Sequence, residues 1–503
     1  MSTSGQSARL LLLLALLLAA VGTVSAASAQ TPERAAPHAD DYSLLQGLSE
    51  WSDAVQGEVV WPRVPFPTPR TRPAEDGLVL RSVVFPVAVH ADPGVSEDHA
   101  RQALAALEDA ALEMSQLGWP TPPYDGGRGG GNELDLYLRA APRIDEVASI
   151  DTDARPAPLE REAPTRFEVA GIDVPTSTTD IDGAITFAEM SDAVDPALVP
   201  ACALTAYAEA LLLGMDPAES PAWRRATAVY LAYLVTGRFG CDESLVIRQQ
   251  TESWRGFVSH DPDTGEGGAL LVGAISARHD RETGTFIRDL WNATRQWTPD
   301  AYASPSSDLH ALPDYYYVIA HGVALAHDPL TRIVEDFGAS RWLAGSRAPS
   351  HALAYPILSA LPGAATVPAY AQVAWSQLPR SMTYEGALEP YGSAYLVCDV
   401  RSAPAGSRLR VWLRAEFGVE WSMIALRIGA NGEEIARVRA PPRPTPESYL
   451  PVELLEGTAQ VVIAVTNLGA RGLDADQPDD FVRGFRVAMD QGREETTATA
   501  PSP

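Results

Sequence analysis

Two kinds of hydrophobic patterning divide the chain near residue 380. Before it, apolar positions mostly recur every three to four residues, which gives a helix one apolar face. After it they alternate, as in half-buried strands. In the first part, "SEDHARQALAALEDAALEMSQLG" reads as an amphipathic helix. Ser96 suits its N-cap, Glu97 and Asp98 its first turn, and Gly118 its stop. "ACALTAYAEALLLGMDPAESPAWRRATAVYLAYLVTG", Ala201 to Gly237, reads as two helices joined by a short polar turn. "ALLVGAISARHDRETGTFIRDLWNATRQW" reads as a helical hairpin and "PAYAQVAWSQL" as a last helix. Strands are expected at "LVLRSVVFPVAVH", from Leu134 after the loop "WPTPPYDGGRGGG", and at "GAITFAEM". In the second part "SAYLVCDV", "LRVWLRAEF", "WSMIALRIG", "EEIARVRA", "AQVVIAVTNL" and "FVRGFRVAMD" are short alternating runs between turn residues. They predict an antiparallel β-sandwich of about 110 residues.

The 503 residues exceed one ordinary domain. Residues 1–29 have the form of a secretory signal peptide: Arg9, an apolar core from Leu10 to Val21, and "ASA" before Gln30. Residues 30–75 read as a Pro-rich leader, 76–380 as the first domain, 383–490 as the sandwich and 491–503 as a disordered tail. The expected fold class is α+β.

Charge narrows the partners. The net charge is −27, and removal of Arg9 with the signal segment takes it to −28. Such a chain repels nucleic acid and anionic lipid. No later segment has the roughly 20 apolar residues of a membrane span. Every basic residue is arginine, so a P-loop lysine and a lysine Schiff base are excluded. Cys202 heads the first helix of the pair and Cys241 follows the second. Antiparallel helices would bring these ends together, and the two cysteines form either a disulfide or two buried thiols. Cys398 is expected as a buried thiol in a strand.

Positions i and i+4 share a helix face, so His-Glu-x-x-His can present two imidazoles to one Zn²⁺ with Glu as general base. Around that element the chain resembles the secreted, myxobacterial-type metallopeptidases of the gluzincin family. "LEMSQLGWPTPPYDGGRGGGNELDLYL" is similar to their helix, Asp-Gly-Gly turn and Asp-x-Tyr-Leu strand. "ALTAYAEALLLGMD" corresponds to their zinc helix and "WRRATAVYLA" to their Trp-x-Glu-Ala-Thr-Ala segment. "LEPYGSAYLVCDV" and "VVIAVTNLG" are similar to strands of their C-terminal sandwich. The resemblance spans roughly residues 80–490. It implies a zincin-like metallopeptidase domain, a small sheet plus helices, followed by the sandwich.

Carried over by position, the first zinc ligand falls on Thr205, the general base on Ala206, the second ligand on Glu209 and the third on Arg225. Ala206 accepts no proton, and Arg225 is a permanent cation without an acceptor. The family's zinc is therefore expected to be missing, and no catalytic residue or cofactor is assigned. Two arrangements fit Glu209 and Arg225: an ion pair filling the vacated site, or an arginine reaching solvent beside a polar cleft. The nine histidines have no metal-like spacing and read as surface or satisfied core residues.

No Gly-x-Ser-x-Gly elbow is present. "TTDID" and "DADQPDD" fail the spacing of a calcium loop, and the tryptophans read as core anchors. The resemblance implies a secreted, catalytically inactive peptidase homologue, periplasmic or extracellular, serving as a binding or structural module for a protein or peptide partner. Such a partner could lie extended beside "GAITFAEM" by β-augmentation. One alternative is an active secreted hydrolase with a non-family metal or catalytic set. Another is a cell-surface interaction protein that recognises partners through its sandwich.

Overall fold

Apolar runs centred on Ala88, Leu136 and Ala188 build the first sheet. The computed structural model describes residues 64–65, 70–74, 77–140, 148–150, 166–169, 172–175, 185–215, 221–257, 262–280, 283–294, 309–310, 330–348, 355–440, 447–469 and 482–493. The signal segment, most of the leader, both acidic spots and most of the tail lie outside these residues. Strands β1 (Leu78–Arg81) and β2 (Val87–Ala91) pair antiparallel. Helix α1 (Glu97–Gln116) leads to β3 (Leu134–Arg139), parallel to β2. The short β4 (Ala148–Ile150) lies antiparallel outside β5 (Thr186–Ser191), and β5 is parallel to β3. The order is β1-β2-β3-β5-β4.

The single strand expected at "LVLRSVVFPVAVH" is a hairpin. Ser82 Oγ accepts from the N–H groups of Val84 and Phe85, and the tip exposes Val83 and Val84. Helix α1 starts where Ser96 Oγ accepts from the N–H of His99 at 3.2 Å. It buries Ala100, Ala103, Leu107, Ala110 and Met114.

Seven helices follow among the described residues: α2 (Val199–Met215), α3 (Pro221–Thr236), α4 (Glu243–Thr251), α5 (Pro262–His279), α6 (Thr285–Thr294), α7 (Leu330–Ser340) and the short α8 (Pro356–Ser359). Every residue of α2 except Pro200 is buried, as its largely apolar sequence requires of a central helix. Helix α5 meets α3 through glycines. A Cβ on Gly268 would lie 2.8 Å from Ala226 Cβ, and one on Gly265 would lie 3.0 Å from Ala222 Cα. The backbones thus approach more closely than two side-chain layers would allow. A disulfide joins Cys202 to Cys241 and closes the α2–α3 hairpin. By chain entropy, a loop of this length stabilises the fold by about 4 kcal/mol.

The second half is a sandwich of β6 (Ala371–Ala374), β7 (Arg380–Leu388), β8 (Ser393–Asp399), β9 (Ser407–Ala415), β10 (Trp421–Gly429), β11 (Glu434–Arg439), β12 (Glu447–Glu453), β13 (Thr458–Asn467) and β14 (Arg483–Arg493). One sheet has the order β6-β8-β13-β10-β11, the other β7-β14-β9-β12. All pairs are antiparallel except β6 with β8. The helix expected at "PAYAQVAWSQL" is therefore β6 and a 3-10 turn, because Val373 and Trp375 alternate into the sandwich core. The architecture is α+β.

The first of these sheets is buried on both faces. Met423, Ala425, Val461 and Ile463 turn toward the second sheet. Ile424, Leu426, Val462 and Ala464 join the core of the helical half. Helix α7 seals this contact: Tyr395 donates its hydroxyl to the Gly338 carbonyl at 2.5 Å. Asp336 of α7 draws three arginines, Arg439 at 2.6 Å, Arg437 at 3.8 Å and Arg278 at 3.9 Å. Asp336→Asn keeps the shape and removes the charge. It is expected to cost about 1–3 kcal/mol in urea unfolding; an unchanged midpoint would mean the arginine cluster contributes nothing to the seal.

Candidate functional site

The buried centre of the helical half holds the residues that the zinc-helix alignment singles out. Glu209 projects from α2, and Arg224 and Arg225 from the first turn of α3. All three are buried. Glu209 Oε1 lies 3.9 Å from Nε of Arg225 and 3.9 Å from Nε of Arg224. Arg225 Nη1 lies 4.0 Å from Glu266 Oε1 on α5. These contacts are coulombic and too long for hydrogen bonds. Two carboxylates and two guanidiniums thus meet across three helices. The flanking Gly265 and Gly268 let α5 bring Glu266 this close.

The other aligned positions contribute no polar group to that cluster. Ala206 is fully buried in the apolar core. Thr205 donates its hydroxyl to its own helix, to the Ala201 carbonyl at 2.8 Å. The set does not suit the zinc that the resemblance implies. The guanidinium has no lone pair to offer, a threonine hydroxyl is a poor zinc ligand, and one carboxylate makes no zinc site. Among the described residues no group of three or more His, Cys, Asp or Glu side chains could hold a metal ion. The sequence reading named neither Arg224 nor Glu266. The signals were present: an arginine adjacent to Arg225, and a glutamate set among glycines in a helix.

A second ionisable cluster lies on the sheet. Asp135 on β3 takes Arg72 on one oxygen and His90 Nε2 on the other, at 2.8 Å for the histidine. Arg72 Nη2 also reaches Asp125 at 3.0 Å, and Asp125 accepts from the Gly127 N–H at 3.0 Å. His90 stacks on Tyr137 with ring centroids 4.8 Å apart. Gly129, at φ +71°, leaves room for this: a Cβ there would fall 1.9 Å from Asp135 Oδ2. The glycine run is thus a turn folded over a buried carboxylate, and Arg72 ties the end of the expected leader to the sheet. Burial pushes the Asp125 carboxyl up to about 6, with Arg72 and the Gly127 N–H pulling it down and Asp135 adding to the rise.

Strand β5, "GAITFAEM" in the sequence, is not an edge strand over Thr186–Ala188, because β4 pairs with its outer side. Away from these clusters, a cavity of about 370 Å³ lies where the turn at 342–348 meets the sandwich, lined by Trp342, Arg347, Asn431 and Gln460 among others. Among the described residues no helix is long and apolar enough to cross a membrane.

No protein-family model and no curated protein matches the chain. Solved structures match at low similarity. The pre-peptidase C-terminal domain of a collagenase from Bacillus anthracis shares 8% identity, covering 25% of this chain and 97% of its own, at a TM-score of 0.17. A mitogen from Yersinia pseudotuberculosis shares 17% over 22% and 86%, at 0.16. The enzymatically active domain of tailspike protein 4 from bacteriophage CBA120 shares 12% over 23% and 18%, also at 0.16. At these TM-scores the likenesses carry no weight for fold or function.

Three outcomes are expected. Glu209→Leu removes a buried carboxylate from beside two buried arginines and should cost about 3–5 kcal/mol. Glu209→Leu with Arg225→Leu should cost less than the two single losses summed, and strict additivity in urea unfolding would show that the pair is not coupled. Asp125 carries a raised pKa, so the stability it contributes is present below its ordinary 3.8 and lost as pH rises through about 6. Asp125→Asn should remove about 3 kcal/mol of that loss between pH 4 and pH 7. Identical pH slopes for variant and parent in denaturant titrations would rule this out.

Proposed function

We propose that the chain is a catalytically inactive relative of the gluzincin peptidases, kept as a secreted binding or structural module. One observation carries the reading: the residue aligned with the third zinc ligand is Arg225, and it lies 3.9 Å from the carboxylate aligned with the second. An arginine at that point supplies the positive charge that a metal would bring, and it leaves no open coordination position for water. The missing base at Ala206 agrees with this, since no side chain there can take a proton from water. The topology supports the zincin-like part of the reading: a mixed sheet with an antiparallel strand at its edge runs from β5 into a buried helix pair. The partner belongs to the protein or peptide class.

Metal analysis of the purified chain tests this most directly. Zinc is expected well below one atom per chain after dialysis, with no hydrolysis of denatured casein. Tightly held stoichiometric zinc would overturn the proposal and favour an active enzyme with a different ligand set.

A further inference from the structure

The sandwich carries a second feature that the alignment does not touch. Along β9 the burial alternates strictly: Leu409, Val411 and Leu413 point into the core, while Arg408, Arg410, Trp412 and Arg414 point out. The register sets Tyr449 of β12 directly beside Trp412 and Arg486 of β14 directly beside Arg414. Trp412 is 38% exposed and lies 5.2 Å from Tyr449, ring centroid to centroid. The Arg410 guanidinium lies 5.6 Å from the Trp412 ring centroid. One outer sheet face thus carries an aromatic pair flanked by arginines, within a chain of net charge −27.

Carboxylates neutralise part of this face and not all of it. Arg408 pairs with Glu453, Arg410 with Asp490 and Arg414 with Glu447. Arg486 donates to Ser381 Oγ at 2.7 Å and has no carboxylate in ion-pair range among the described residues. Arg414 and Arg486 stand opposite each other in the ladder. Like charges in that position are destabilising by themselves, and an anion between them would relieve the repulsion. A guanidinium fork matches a carboxylate bidentately. The two rings, tilted by 37° to each other, offer aromatic faces to the C–H groups of successive sugar rings. Outward side chains two residues apart on a strand are separated by about 6.8 Å, so Arg410, Trp412 and Arg414 span about 14 Å. That is the scale of a short run of sugar units.

We infer that this face binds an acidic polysaccharide, with Trp412 and Tyr449 stacking on sugar rings and Arg414 and Arg486 holding a uronate carboxylate. The inference is independent of the fate of the zinc site.

The test is affinity electrophoresis of the full chain through native gels containing polygalacturonate, at about 0.15 M salt. There the screening length is about 8 Å, and repulsion from the rest of the acidic chain is muted. Retardation is expected in polygalacturonate and not in neutral galactan or in gelatin. Trp412→Ala and Arg486→Ala should each weaken retention at least about tenfold. Arg401→Ala removes the same charge beyond the end of β8, in the other sheet, and should leave retention unchanged. All three positions are solvent-facing, and far-UV circular dichroism checks that the variants keep the fold. No retardation, equal retardation in galactan or gelatin, or retention indifferent to Trp412→Ala and Arg486→Ala would overturn the inference.

Discussion

A carboxylate stripped of water must be matched by a cation, and the helical half is arranged around that requirement. Glu209 sits on the one helix that is buried almost throughout. Two arginines reach it from α3, and Glu266 on α5 offsets the second of them. Bringing three helices this near requires glycines where α5 meets α3 and a bridge fastening the far end of the α2–α3 pair. The polar centre contributes little net stability by itself, because desolvation offsets most of the attraction. What it imposes is arrangement: any packing that separates α2, α3 and α5 strands a charge in an apolar core.

The same logic recurs at the sheet and at the seam between halves. Arg72, His90, Asp125 and Asp135 come from four separate segments and meet in a buried knot. Asp336 gathers arginines from both halves. Arginine is the only basic side chain this sequence has besides histidine. Its planar fork and permanent charge suit such sites better than an ammonium would.

Legibility from sequence followed the reach of each physical signal. The helix from Ser96 to Gly118 was readable because its cap, charge bias and periodicity agree locally. Six sandwich strands were readable by alternation. The strands that escaped were β7, β12 and β6, where Gly386, Pro451 or brevity blurs the alternation. The turn inside "LVLRSVVFPVAVH" escaped because its tip is as apolar as its strands. Arg72, Arg224 and Glu266 escaped for another reason. Their roles depend on partners far along the chain, and only tertiary packing brings those together. Trp412 reads as a core anchor in composition and faces solvent in the fold, since strand parity decides which way a tryptophan points.

The cysteine bridge has a consequence for how the molecule survives a protease. It spans 39 positions and encloses α3 and all but the first three residues of α2. A protease that cuts anywhere between Cys202 and Cys241 produces two fragments that remain covalently one molecule. A cut between Glu209 and Arg225 would put those two residues on different polypeptides, still joined by sulfur. Nicking becomes a survivable injury, and such a chain would travel intact through a size-exclusion column until a reductant separated it.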